Sequence, residues 1–131
     1  KDIEILNIFC GKNYYGLKVD IIGKPHTNAD VVCDVHELSK YIDPTKKFDF
    51  ILADPPYSTE ESRDLYGTPP LHYKKWVAEC EKFLKKGGLL CVYHKYVMPN
   101  PDPTKFVVEK RVFIGNRTYH LPIIAIYFKK K

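Results

Sequence analysis

Short apolar runs rich in β-branched residues recur along the chain, and each is stopped by Gly, Pro or Asp before it reaches helical length. Ile5 to Cys10 halts at Gly11, Leu17 to Ile22 at Gly23, Val31 to Asp34 before a polar stretch, and Phe48 to Ala53 at Asp54-Pro55-Pro56. Their length and composition favour buried strands over helices. A chain so divided has to build a sheet, and 131 residues give it room for one core.

Two intervals break this rhythm with helical spacing. Val35, Leu38, Tyr41 and Ile42 lie along one helix face, with Asp34 placed to cap its start. The stronger signal opens at Thr68-Pro69-Pro70, carries Leu71, Tyr73, Trp76, Val77, Cys80, Phe83 and Leu84, and ends at Lys85-Lys86-Gly87-Gly88. Leu89 to Tyr93 follows as a fifth strand. After a Pro-rich loop, Phe106 to Ile114 and Pro122 to Phe128 form two further β-like runs joined through Gly115-Asn116, which reads as an antiparallel pair. The expectation is an α/β domain over 1–131 with a mostly parallel sheet and a C-terminal antiparallel strand pair. Ligands of such sheets bind beyond the carboxyl ends of the strands, which points to the loops after Cys10, Asp20, Asp34 and Asp54. Gly11 to Gly16 is too short for a crossover helix, so either that helix is lost or strand two is not a parallel neighbour of strand one.

With 44% apolar and 14% aromatic residues the chain should fold. No apolar stretch is long enough to cross a bilayer and no basic-then-apolar leader precedes the first run, so no membrane role and a soluble, cytoplasmic protein are expected. Cys10, Cys33, Cys80 and Cys91 have no paired spacing and no nearby His to complete a metal set; they read as small buried hydrophobes, and no metal is expected. A net charge of +5 suits a polyanionic partner, though Lys129, Lys130 and Lys131 supply part of it.

The grouping that carries chemistry is Asp54-Pro55-Pro56-Tyr57, directly after the fourth run. Two prolines fix the backbone and remove two N–H donors, leaving a rigid turn rich in acceptors. The lone pair of an exocyclic amine on a base is delocalised into the ring. Accepting hydrogen bonds from both its protons makes that nitrogen more tetrahedral and more nucleophilic. The Asp54 carboxylate and the Pro55 carbonyl suit that task, and the Tyr57 ring offers a face on which an extruded base can stack.

This tetrapeptide resembles the D-P-P-Y motif of the amino-methyltransferases, chiefly the DNA N6-adenine methyltransferases. Phe9-Cys10-Gly11 is similar to the F-x-G opening of that family's cofactor loop, and Lys85-Lys86-Gly87-Gly88-Leu89-Leu90 to its K-x-G-G-x-L turn. The resemblance implies a Rossmann-like class I methyltransferase fold and S-adenosylmethionine as cofactor. The cofactor would be held by Phe9, Cys10, Gly11, Asp20 on the ribose hydroxyls, Asp34 on the adenine amine, and Asp54. It also implies methyl transfer at Asp54, Pro55, Pro56 and Tyr57. The expected function is methylation of an exocyclic amine, first N6 of adenine in DNA. The alternatives are an RNA methyltransferase acting on adenine N6 or guanine N2, and a non-catalytic nucleic-acid or partner-binding module of the same fold. The sequence departs from the family in lacking further glycines after Gly11 and any target-recognition domain. Specificity is therefore expected from a partner, a homo-oligomer, a substrate lid at Ser58 to Gly67, or contacts from His94 and Lys95.

Overall fold

A computed structural model describes residues 2–56, 71–94, 98–115 and 122–131. The expected runs become β1 (Ile5–Ile8), β2 (Leu17–Asp20), β3 (Val31–Val32), β4 (Phe48–Ala53), β5 (Leu84–His94), β6 (Phe106–Ile114) and β7 (Ile123–Lys130). A 3-10 helix, Val35–Lys40, precedes β4, and α1 (Tyr73–Lys82) precedes β5. The strands form one sheet in the order β3-β2-β1-β4-β5-β7-β6. β1 to β5 pair in parallel, whereas β7 runs antiparallel to both β5 and β6. The mostly parallel sheet with its C-terminal antiparallel pair is thus as the apolar runs predict.

β1 and β2 are parallel neighbours, with Leu6 opposite Leu17 and Ile8 opposite Val19, and no helix joins them. The connecting loop therefore has to travel back along the four residues of β1, about 13 Å. Local bonds hold it there: Asn13 N–H donates to the Cys10 carbonyl at 2.9 Å, and the Asn7 side-chain amide donates to the Tyr15 carbonyl at 3.2 Å. Gly16, at φ +67°, passes so close to β1 that a Cβ would fall 2.3 Å from the Ile5 carbonyl oxygen.

Side chains alternate across the sheet, and one face holds the core. Leu6, Ile8, Val19, Ile51, Leu90 and Ile126 meet Trp76, Val77 and Cys80 of α1 and Val35 and Leu38 of the 3-10 helix. α1 and the 3-10 helix are tied to each other by buried Glu79, which accepts from the Ser39 N–H at 3.1 Å and the Ser39 hydroxyl at 2.8 Å. Both helices lie on this face; among the described residues none covers the other.

Several boundaries differ from the pattern in the sequence: β1 stops at Ile8, β3 at Val32, and β7 runs on to Lys130, while two further shifts have a visible cause. β2 ends at Asp20, because the Asp20 carboxylate accepts from the Ile22 N–H at 3.0 Å and turns the chain. The helix stops at Lys82 and not at Lys85-Lys86: the Phe83 carbonyl takes the Phe48 N–H at 2.7 Å and Leu84 pairs with Phe48. Lys85 to Gly88 is drawn into β5 as an irregularity opposite Phe48 to Phe50, where Gly87 adopts φ +80°. The Thr68-Pro69-Pro70 opening of that helix and the Asn116 turn lie outside the described residues.

Candidate active site

The chain order reverses at β1, whose neighbours β2 and β4 continue in opposite directions across the sheet. Loops that part at such a switch point leave a crevice at the strands' carboxyl ends. Phe9, Cys10 and Gly11 leave β1 there, Asp20 ends β2, Asp34 follows β3, and Asp54, Pro55 and Pro56 leave β4. All the predicted site residues that lie in the described regions therefore gather at one end of the sheet. Tyr57, the Ser58 to Gly67 segment and Lys95 lie outside the described residues.

Phe9 is the strained point of this rim. Its φ of +53° is uncommon for a residue with a side chain. The conformation turns the chain sharply off β1 while seating the ring edge-on to Trp76, 5.4 Å between centroids, with Tyr73 at 5.5 Å on Trp76. Buried Trp76 is the anchor of this aromatic cluster, and the Tyr73 hydroxyl beside it is buried with no hydrogen-bond partner among the described residues. Cys10 is buried and its thiol is pushed up to about 11 by burial and by the Asp20 charge, so it contributes backbone and packing and no nucleophile.

Gly11 takes φ +51°, its N–H donates to Asp20 at 3.0 Å, and its carbonyl accepts from the Asn28 N–H at 2.8 Å. A Cβ at this position would meet nothing within 4 Å, so the loop faces open space there. The two oxygens of Asp20 thus hold the loops after β1 and β2 together, one on Gly11 and one on Ile22. A carboxylate has about four acceptor sites, so these bonds leave capacity for further donors.

Asp34 caps the 3-10 helix, accepting from the His36 N–H at 2.9 Å and lying 2.6 Å from His36 Nδ1. Burial raises its carboxyl, but the bonds from His36 outweigh that and hold it below the ordinary carboxylate range. Buried His36 then accepts from the His72 N–H at 2.9 Å through Nε2, which places the ring hydrogen on Nδ1, toward Asp34. This Asp34–His36–His72 chain joins the β3 end to the start of α1. No spacing in the sequence singles out His36, because the two partners are 36 residues apart and meet only in the fold.

Asp54 is exposed, Pro55 buried and Pro56 half-buried, so the carboxylate stands on the surface of a turn anchored by a proline ring. Ala53 pairs with Val92, which brings Asp54 beside Tyr93 of β5. Burial raises the Tyr93 hydroxyl, with contributions from Cys91 and the Asp54 charge. His94, the last residue of β5, is buried and pairs with Ile124.

For a nucleoside-bearing sulfonium cofactor this donor set fits. Hydroxyl and amine donors would meet carboxylates at the ends of β2 and β3, and the open side of Gly11 leaves backbone accessible at the end of β1.

No family model matches the sequence, and no curated protein matches it by sequence. Solved structures do match. TrmN from Thermus thermophilus has a TM-score of 0.65 at 15% identity over 98% of this chain and 44% of its own, so the chain spans less than half of that protein. N-methyltransferase NodS from Bradyrhizobium japonicum WM9, in complex with S-adenosyl-L-homocysteine, gives 0.62 at 12% identity over 98% of this chain and 78% of its own. An rRNA methylase from Streptococcus thermophilus gives 0.59 at 12% identity over 98% and 88%. The chain has the Rossmann-like fold of class I methyltransferases.

Proposed function

We propose that residues 1–131 form one catalytic domain of an S-adenosylmethionine-dependent methyltransferase that methylates an exocyclic amino nitrogen, and that its target is N6 of adenine in nucleic acid. The observation that carries the proposal is the Asp54-Pro55-Pro56 turn, projecting its carboxylate from β4 next to the loop that leaves β1 at the switch point. Phe9, Cys10 and Gly11 would hold the cofactor through backbone. Asp20 would accept from the ribose hydroxyls and Asp34 from the adenine amine, with Asp54 bordering the methyl end. When bound, the cofactor supplies a methyl group on a positively charged sulfur. Asp54 and the Pro55 carbonyl would accept hydrogen bonds from the two N–H groups of the target amine and so free its lone pair for the methyl group; Pro56 keeps the turn rigid. Tyr57 stacks on the base. A bound cofactor would give up its methyl group and leave as the neutral thioether, and Asp54 or water would take the one proton the nitrogen sheds, so no strong base is required.

DNA is the first substrate, on the strength of the motif's resemblance to the DNA N6-adenine enzymes. RNA is the second reading, supported by the likeness to an rRNA methylase. Incubation with isotopically labelled cofactor and separate DNA and RNA pools, followed by mass spectrometry of the nucleosides, tests both. Labelled N6-methyladenosine in either pool supports the proposal and names the substrate; label on another amine revises the base; label in neither refutes it.

A further inference from the structure

The sheet face turned away from α1 bears an aromatic pair that methyl transfer itself does not use. Strand register sets Cys91, Tyr127 and Lys110 in one row across β5, β7 and β6. The next row holds Tyr93 and Ala125 and leads to Asp54, one residue beyond the Ala53–Val92 pair. No helix covers this face among the described residues, yet Cys91 is wholly buried, at 0% exposure. It is flanked on this face by Tyr127, directly opposite on β7, and by Tyr93, two residues along β5. Both are only half-buried, so ring surface reaches solvent. The Lys110 ammonium lies 4.8 Å from the centre of the Tyr127 ring. Lys129, two residues along β7 on the same face, is exposed, and neither lysine pairs with a carboxylate among the described residues.

Flat aromatic rings on neighbouring strands with cations beside them are suited to unpaired bases, whose faces are free to stack, with the lysines on the phosphates. Diagonal neighbours of an antiparallel pair lie about 7–8 Å apart, which allows one base per ring. A duplex keeps its base faces stacked inside, out of reach of these rings. A second copy of the chain would bring two cationic patches together, so charge favours a polyanion over self-association.

We infer that the Tyr93–Tyr127 face binds a single-stranded segment of nucleic acid, with successive bases on the two rings and phosphates on Lys110 and Lys129, leading to Asp54. Delivery to Asp54 rests on the function proposed above; strand binding to this face does not.

Fluorescence anisotropy with labelled single-stranded DNA and RNA of about a dozen nucleotides, and with the matching duplexes, tests the inference. Tyr93→Leu, Tyr127→Leu and Lys110→Glu are each expected to weaken single-strand binding about tenfold or more. Lys110→Glu should also reduce the slope of log affinity against log salt by about 0.7. The tyrosine variants remove packing over Cys91, so exposed Lys110→Glu is decisive if they fail to fold. Wild-type-like strand affinity in Lys110→Glu, tighter binding of duplex than of single strand, or a dimer in sedimentation that shields Lys110 from acetylation would each overturn it. Cofactor calorimetry on the same proteins separates the two claims. Strand binding that depends on this face without cofactor binding leaves the surface standing and removes the methyltransferase. Cofactor binding with strand affinity indifferent to these residues does the reverse.

Discussion

Replacing Gly11 by alanine separates what the first loop does for the fold from what it does for the cofactor. At φ +51° an alanine sits in the left-handed region at a cost of about 1–2 kcal/mol. Because its Cβ would meet nothing within 4 Å, no packing penalty adds to that. For a domain of 131 residues the loss corresponds to a fall in Tm of about 4–7 °C. Cofactor affinity should fall as well, about tenfold or more, because the methyl group would enter the open space assigned to S-adenosylmethionine. Gly16→Ala is the matched control. It bears the same backbone cost, at φ +67°, and also drives a Cβ to 2.3 Å from the Ile5 carbonyl oxygen, for a total of about 3–5 kcal/mol. Its folded fraction should bind cofactor normally. Thermal unfolding and calorimetry with S-adenosylhomocysteine read both quantities. Undiminished cofactor affinity in Gly11→Ala would show that the space beside Gly11 is not the cofactor's. A Tm loss as large as that of Gly16→Ala would refute the loop geometry.

Asp54→Ala should abolish methyl transfer while leaving Tm near wild type, Asp54→Asn should keep a little activity, and Tyr57→Phe should be milder than Tyr57→Ala, since stacking on the ring face is worth about 1–3 kcal/mol; radiolabel transfer surviving Asp54→Ala would remove the amine pocket. Burial raises the Glu79 carboxyl, but the Lys82 ammonium and Ser39 outweigh it and hold it below its ordinary value, as His36 holds Asp34. The stability these carboxylates contribute is present above the unfolded carboxyl range, about pH 4, and lost as pH falls through their lower folded values, so Glu79→Gln should flatten the acid limb of a Tm–pH curve, and a curve parallel to wild type would contradict the pairing. His36→Ala strands the His72 N–H and the Asp34 carboxylate and should cost about 1–3 kcal/mol in denaturant unfolding, whereas a change below half of that would mean water replaces the ring without loss. Burial pushes the thiols of Cys10, Cys33 and Cys91 up to about 11 and that of Cys80 upward too, so a thiol reagent at neutral pH should react slowly with the native protein and with all four in denaturant; a fast native equivalent would place one of them at the surface.

Much of the fold is legible in the sequence, because it rests on local facts. A run such as Phe48 to Ala53, short, largely apolar and closed by Asp-Pro-Pro, reads as a buried strand, and the strand it predicts is the strand found. The same holds for the antiparallel pair at the carboxyl end and for Asp34 as a cap, whose bonds reach only two residues along the chain. The display of Asp54 at a strand's carboxyl end likewise follows from the order of residues alone. What the sequence could not decide was every feature whose partner lies far along the chain. Lys85 to Gly88 reads as a helix end and a turn, yet pairing of Leu84 with Phe48 carries it into β5. His36 looks idle until the fold sets it between Asp34 and His72. Tyr93 and Tyr127 are ordinary strand residues until register sets them diagonally on one face around Cys91. Whether β2 could lie parallel to β1 without a helix was open in the sequence, because it depends on eight residues finding bonds to two strands at once. Local periodicity specifies elements one at a time, whereas hydrogen bonds and packing between them depend on how close the chain returns to itself, and only the tertiary structure determines that.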